Sequence, residues 1–137
     1  MWSNATILSI IDHHEDGGLA LDASPRLIAV SASCSSLVSK IILDAKDERR
    51  SMHGGMPKEM VDLLLRTISL DSGGLDKDDR QKVDLESARR LFPMSSWRDK
   101  DFKDTMKSLS KELTASKRGL EELSVRDLLR RDWKSDS

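Results

Sequence analysis

The chain has 137 residues, with 23 Lys plus Arg against 24 Asp plus Glu and a formal net charge of -1. That balance excludes a strong non-specific pull of the whole chain toward nucleic acid or anionic membrane, and the length fits one domain or one small domain with part of a second. The single cysteine, Cys34, excludes an internal disulfide, and no apolar run approaches the ~18 residues of a membrane span, so a soluble cytoplasmic protein is expected.

The first predicted element is a buried strand over Thr6 to Ile11, an apolar, β-prone run. It empties into Asp12-His13-His14-Glu15-Asp16, which sets carboxylates and imidazoles side by side. Ligand sites of open α/β sheets lie just outside the carboxyl ends of their strands. Imidazole and carboxylate together suit a divalent metal such as Mn²⁺, Zn²⁺ or Fe²⁺. Neighbouring residues on a strand face opposite ways, so His13 and His14 meet at one site only if the backbone turns after the strand. The plainer alternative is a polar strand end with surface histidines.

A second strand is predicted at Leu27-Ile28-Ala29-Val30, after Pro25 and Arg26. The run Ser31 to Ser36 then precedes a helix whose apolar face holds Leu37, Val38, Ile41, Ile42 and Ala45. Hydroxyls and backbone N–H groups at a helix N-terminus suit an anion, and equally an ordinary N-cap. Cys34, within that run, reads as a small core filler rather than a nucleophile. His53 lies in a Gly-rich loop and reads as solvated.

Pro57 fits the first turn of the next helix, which is apolar over most of its circumference from Met60 to Leu70, as a buried helix should be. It stops at Asp71-Ser72-Gly73-Gly74. Asp71 is a candidate ligand, because a carboxylate at the end of so apolar a segment is costly to bury unless paired or bound to metal; its alternative is a cap or turn residue. Asp84 reads as the N-cap of a helix from Leu85 to Phe92, closed by Pro93. Phe102, Met106, Leu109 and Leu113 form the stripe of an amphipathic surface helix. Ser124 with Asp127 resembles a capping box opening a last helix, Val125 to Arg131.

Lys77, Arg80 and Lys82 are placed to guide a polyanion toward Asp71, and the basic tail from Lys117 to Lys134 offers phosphate contacts; either charge run also suits a solvated face. The boundary between two units is placed near Gly74 to Asp84, with the strands all before it. A sheet has typically ~4–6 strands, so two strands suggest part of a larger α/β domain. An uncovered apolar edge would then be prone to aggregation.

Four segments, in order, resemble the DHH phosphoesterase superfamily, most closely its exopolyphosphatase and prune branch, related to the manganese-dependent family II inorganic pyrophosphatases. Ile10 to Asp16 resembles the motif that names the superfamily, and Ser33 to Val38 the segment at the following helix. Leu63 to Asp71 resembles the last catalytic motif, and Leu123 to Lys134 the opening of the associated C-terminal domain. The resemblance implies an α/β fold. Residues 1–76 would be the C-terminal part of a DHH domain with a partial parallel sheet. Residues 77–137 would be a linker and the helical start of a second, substrate-binding α/β domain.

It further implies metal-dependent hydrolysis of phosphoanhydride bonds in inorganic polyphosphate or pyrophosphate, with two Mn²⁺ or Mg²⁺ ions in the complete family site. His13, Asp71 and Asp12 would bind metal; His14 would face the substrate phosphate, with Asp12 supporting the cluster. Ser33, Ser35, Lys82 and Arg131 would contact substrate. Ala32 stands where the family has glycine, which would narrow the approach of a phosphate. The family's first two motifs have no match here, so an incomplete and weakly active or inactive fragment is expected. The alternatives are a non-catalytic, prune-like protein-binding module and a nuclease branch acting on short oligonucleotides; neither a membrane nor nucleic acid is expected as the main partner.

Overall fold

The computed structural model describes residues 5–48, 55–76 and 82–121. Among them the fold is mixed α/β, with a two-stranded parallel sheet and four α-helices. Strand β1 is Ile10–Asp12 and β2 is Arg26–Ile28, paired in parallel with Ile11 beside Leu27. Helix α1 is Cys34–Glu48, α2 is Lys58–Asp71, α3 is Lys82–Leu91 and α4 is Phe102–Glu121. A 3-10 turn, Phe92–Met94, follows α3 and contains Pro93.

The sheet departs from the sequence expectation. β1 begins at Ile10 rather than Thr6, and β2 ends at Ile28 rather than Val30. The apolar residues left outside are exposed, Leu8 at 77% and Ile7 at 55%, and β1 itself is only half-buried. An apolar run is buried as a strand only when layers cover both faces. Here α1 packs against β1, and no such layer covers Ile7 and Leu8 among the described residues.

The core is helical. One apolar cluster joins Leu43 of α1, Val61, Leu64, Leu65 and Ile68 of α2, Ala88 and Leu91 of α3, Phe92, and Met106 of α4. It draws on residues before and after Gly74. On α2 the buried positions follow an i, i+3, i+4, i+7 stripe from Val61 to Ile68, while Leu63 is exposed. The helix is therefore amphipathic, not buried all round. On α1 the buried apolar residues are Leu37 and Leu43; Val38, Ile41 and Ile42 are half-buried and Ala45 is exposed. Ile41 and Ile42 instead line an apolar groove with Met56, Met60 and Met94. On α4 Met106 and Leu109 are buried, while Phe102 and Leu113 are half-buried.

Polar side chains fill the remaining interior, and serines dominate them. Ser69 Oγ donates to the Met106 carbonyl, tying α2 to α4. Ser87 Oγ donates to the Ser36 carbonyl at 2.9 Å, tying α3 to α1. At the solvent edge of that pair, Arg90 bridges Asp44 at 2.6 Å and Asp47 at 2.8 Å.

Helix α2 ends as its sequence predicts, and the ending carries a test. The Gly74 N–H donates to the Ser69 carbonyl and the Gly73 N–H to the Leu70 carbonyl, the paired bonds of a Schellman turn. Gly73 and Gly74 have φ of 65° and 83°, a region costly for residues with a Cβ. A Cβ on Gly74 would also lie 3.0 Å from the Lys107 Cα and 3.3 Å from the Met106 carbonyl oxygen, so this glycine lets the turn seat on α4. Gly74→Ala is therefore expected to cost about 2 kcal/mol or more in urea unfolding, since the left-handed conformation alone costs roughly 1–2 kcal/mol.

Candidate metal centre

The polar residues singled out in the sequence gather where several elements end. β1 ends at Asp12, the backbone bends at His13 and His14, and the two rings come to 4.2 Å between centroids, tilted by 53°. The bend thus brings together two histidines that a continuing strand would have turned apart. The parallel ladder runs on beyond the strands, from the Ala29 N–H to the Asp12 carbonyl and from the Ser31 N–H to the His13 carbonyl. The site therefore lies at the carboxyl ends of both strands, beside the N-terminus of α1.

His13 is half-buried, and its Nδ1 lies 3.1 Å from the Ser31 carbonyl oxygen. A carbonyl can only accept, so this contact favours the proton on Nδ1, and in the neutral ring Nε2 is then the lone-pair nitrogen, the tautomer a metal requires. His14 is exposed, and its Nδ1 lies 2.7 Å from Asp12 Oδ1, which also accepts the His14 backbone N–H at 3.1 Å. The hydrogen bond from the His14 side chain, then that from its backbone, holds the Asp12 carboxyl below its usual range. One potential ligand atom from each of Asp12, His13 and His14 lies within 4.8 Å of the others. Two imidazoles and a carboxylate at this spacing suit a borderline divalent cation.

Asp71, in the last turn of α2, is not among the three residues whose ligand atoms converge; it meets the neighbouring serine segment instead. It is exposed, and its Oδ2 accepts the Ser33 Oγ–H at 2.6 Å. The hydroxyl links it to the segment that also holds His13.

The serine segment is more fully engaged than its sequence suggests. The N–H groups of Ala32 and Ser33 both donate to the carboxylate of Asp84, and the Ser35 N–H donates to Ser33 Oγ. Ser33 is buried, Ser35 half-buried. The N-cap role expected of Asp84 for a helix from Leu85 is corrected here: α3 is Lys82–Leu91, so Asp84 lies inside its first turn and accepts instead from the segment that leads into α1. Sequence reasoning missed that role, because the contact spans 51 residues. The visible signal was a carboxylate followed three residues later by Ser87, facing a segment rich in serine.

The other candidates are more peripheral. Lys82 is exposed on α3. Lys77, Arg80, His53, Arg131 and the predicted helix Val125 to Arg131 lie outside the described residues. Cys34 Sγ faces the Ile11 carbonyl at 3.8 Å; burial, then the charge of Asp12, pushes its thiol up, which leaves it protonated and suits a filler. Beyond the histidines, Asp16 binds Arg26 through both carboxylate oxygens, and that pairing lowers it to about 2. The pair pins the 13–25 connection to the start of β2.

No family model matches the chain, and no solved structure matches it. A Schizosaccharomyces pombe protein described as a "Putative exopolyphosphatase" is 32% identical over 137 residues, which is 96% of this chain and 34% of that protein. The chain thus spans about a third of the length of this relative. Among the described residues no helix is long and apolar enough to cross a membrane.

Proposed function

We propose that the chain supplies the Asp-His-His portion of the metal centre of a DHH-type hydrolase that cleaves phosphoanhydride bonds in inorganic polyphosphate or pyrophosphate. The observation that carries this reading is the 32% identity, along nearly the whole chain and a third of the relative, to the protein described as a "Putative exopolyphosphatase". The site adds support: imidazole and carboxylate donors converge at the strand ends, and the Ser31 carbonyl engages His13 Nδ1, which leaves Nε2 as the ring's other nitrogen for a metal.

In this reading His13, Asp12 and Asp71 hold Mn²⁺ or Mg²⁺, and two ions belong to the complete centre. A bound divalent cation supplies charge neutralisation at the phosphate oxygens and an acidified water. The remaining chemistry falls to the protein. Asp12 orients His14 through the 2.7 Å bond, so that the exposed ring presents Nε2 toward the substrate phosphate. Ser33 steers the Asp71 carboxylate, while Ser35, Lys82 and Arg131 serve as phosphate contacts for a polyanion. Positioning the scissile phosphate against such a set is where the rate enhancement arises.

The test is phosphate release from polyphosphate, pyrophosphate and a dinucleotide, measured with Mn²⁺ and again with chelator. Mn²⁺ binding with at most weak Mn²⁺-dependent release from either inorganic substrate, and the dinucleotide intact, is the expected result. Cleavage of the dinucleotide alone would move the chain to a nuclease. The absence of both Mn²⁺ binding and phosphate release would overturn the reading for this chain.

A further inference from the structure

Asp84 is a fully buried carboxylate, and among the described residues the three donors it meets belong to one short segment. Its Oδ2 accepts the Ala32 N–H at 2.9 Å; its Oδ1 accepts the Ser33 N–H at 3.1 Å and the Ser36 Oγ–H at 2.5 Å. The same segment holds both arms of the candidate centre. The Ser31 carbonyl accepts from His13 Nδ1, and Ser33 Oγ donates to Asp71.

A cap for α1 does not require this arrangement. Ser33 Oγ already accepts the Ser35 N–H at 3.3 Å, a local capping bond of the ordinary kind. Bringing in a buried charge from another helix adds a desolvation cost that such a cap avoids. What the charge adds is a fixed position for the backbone from Ser31 to Ser33, through charge-assisted bonds that are shorter and stronger than neutral ones.

We propose that Asp84 is a positioning residue for the metal ligands: it anchors the 31–36 segment, which fixes the ring of His13 through the Ser31 carbonyl and the carboxylate of Asp71 through Ser33 Oγ. This rests on reading the site as a metal centre. It assigns to a residue of α3 control over the tautomer of one ligand and the direction of the other.

The experiment compares the unaltered 137-residue chain with Asp84→Asn. Mn²⁺ affinity is measured by calorimetry, and the His13 ring nitrogens are followed by ¹⁵N NMR without metal, near pH 8 where imidazole is neutral. An asparagine keeps the shape but turns an NH₂ toward a backbone N–H that must then go unpaired. The expected result is an affinity loss of roughly 10- to 100-fold, the range for outer-shell partners of metal ligands, with a reduced share of the Nδ1–H tautomer.

Ala88→Gly, in the same helix and also buried, serves as the stability control, with a comparable loss of helix stability and no change in the ring spectrum. Equal affinity in Asp84→Asn and the unaltered chain, or a loss no larger than in Ala88→Gly, would overturn the proposal. If Asp84→Asn does not fold, Ser36→Ala removes one of the three donors and leaves the carboxylate. A smaller loss with the same spectral change then supports the proposal, and no change overturns it. Should the unaltered chain bind no Mn²⁺, the metal reading fails. The ring spectrum alone then decides whether Asp84 governs His13.

Discussion

Replacing His13 with alanine is expected to abolish stoichiometric Mn²⁺ binding, whereas replacing His14 weakens it without abolishing it. The two neighbours differ because of what their Nδ1 atoms meet. His13 is half-buried and donates to a backbone carbonyl, which fixes the ring and frees Nε2. His14 is exposed, and its Nδ1 is engaged by Asp12, itself a candidate ligand. Removing His13 therefore deletes the most rigidly held donor, and the loss should exceed the 10- to 100-fold typical of outer-shell changes. The fold should survive, since the missing Ser31 bond is worth about 1 kcal/mol. Calorimetry on the two variants, with helicity checked by circular dichroism, reads both effects. If His14→Ala is the variant that abolishes binding, the assignments of the two histidines exchange.

The helices were legible in the sequence because their signals are local. Pro57 and Gly73-Gly74 bracket α2, and the spacing of Phe102, Met106, Leu109 and Leu113 marks α4. The strands were less so. The apolar run from Ala5 to Ile11 satisfies every local criterion for a buried strand, yet only its end pairs, because burial of a strand depends on layers that the run itself does not encode. The face of α1 was misread for a related reason. Ser36 and Ser39 are fully buried while Ala45 is exposed, since the close approach of α3 favours small side chains and Asp84 gives Ser36 its hydrogen bond.

The candidate centre divides along the same line. Asp12, His13 and His14 are contiguous and visible as a cluster, and Asp71 stands out at the end of an apolar helix. Their supporting atoms are not visible. The carbonyl of Ser31 is common to every residue type, and Asp84 reaches its partners only after α3 has packed on α1. Ligand identity is a property of side chains in the sequence; ligand orientation is a property of the packed backbone.

Leu65→Ala is expected to destabilise the whole described helical core by about 3–4 kcal/mol, within the range measured for buried leucines. Leu65 is fully buried on α2 and belongs to the cluster shared by α1, α3 and α4, so the cavity would be felt on every side. For a domain of ordinary stability, about 5–15 kcal/mol, this is a large fraction of the total. Trp97 reports on the cluster: it packs against it half-buried, with the Arg66 guanidinium 5.2 Å from its ring centre. In a background with Trp2→Phe and Trp133→Phe, its fluorescence should lose its native signal at the same urea concentration as the helical circular dichroism, before and after the substitution. A Trp97 transition left in place while the helical signal shifts would mean that α4 and the segment before it hold together without α2. The close seating of Gly74 on Lys107, and the bond from Ser69 to Met106, argue against that separation, because both fasten α2 directly to α4.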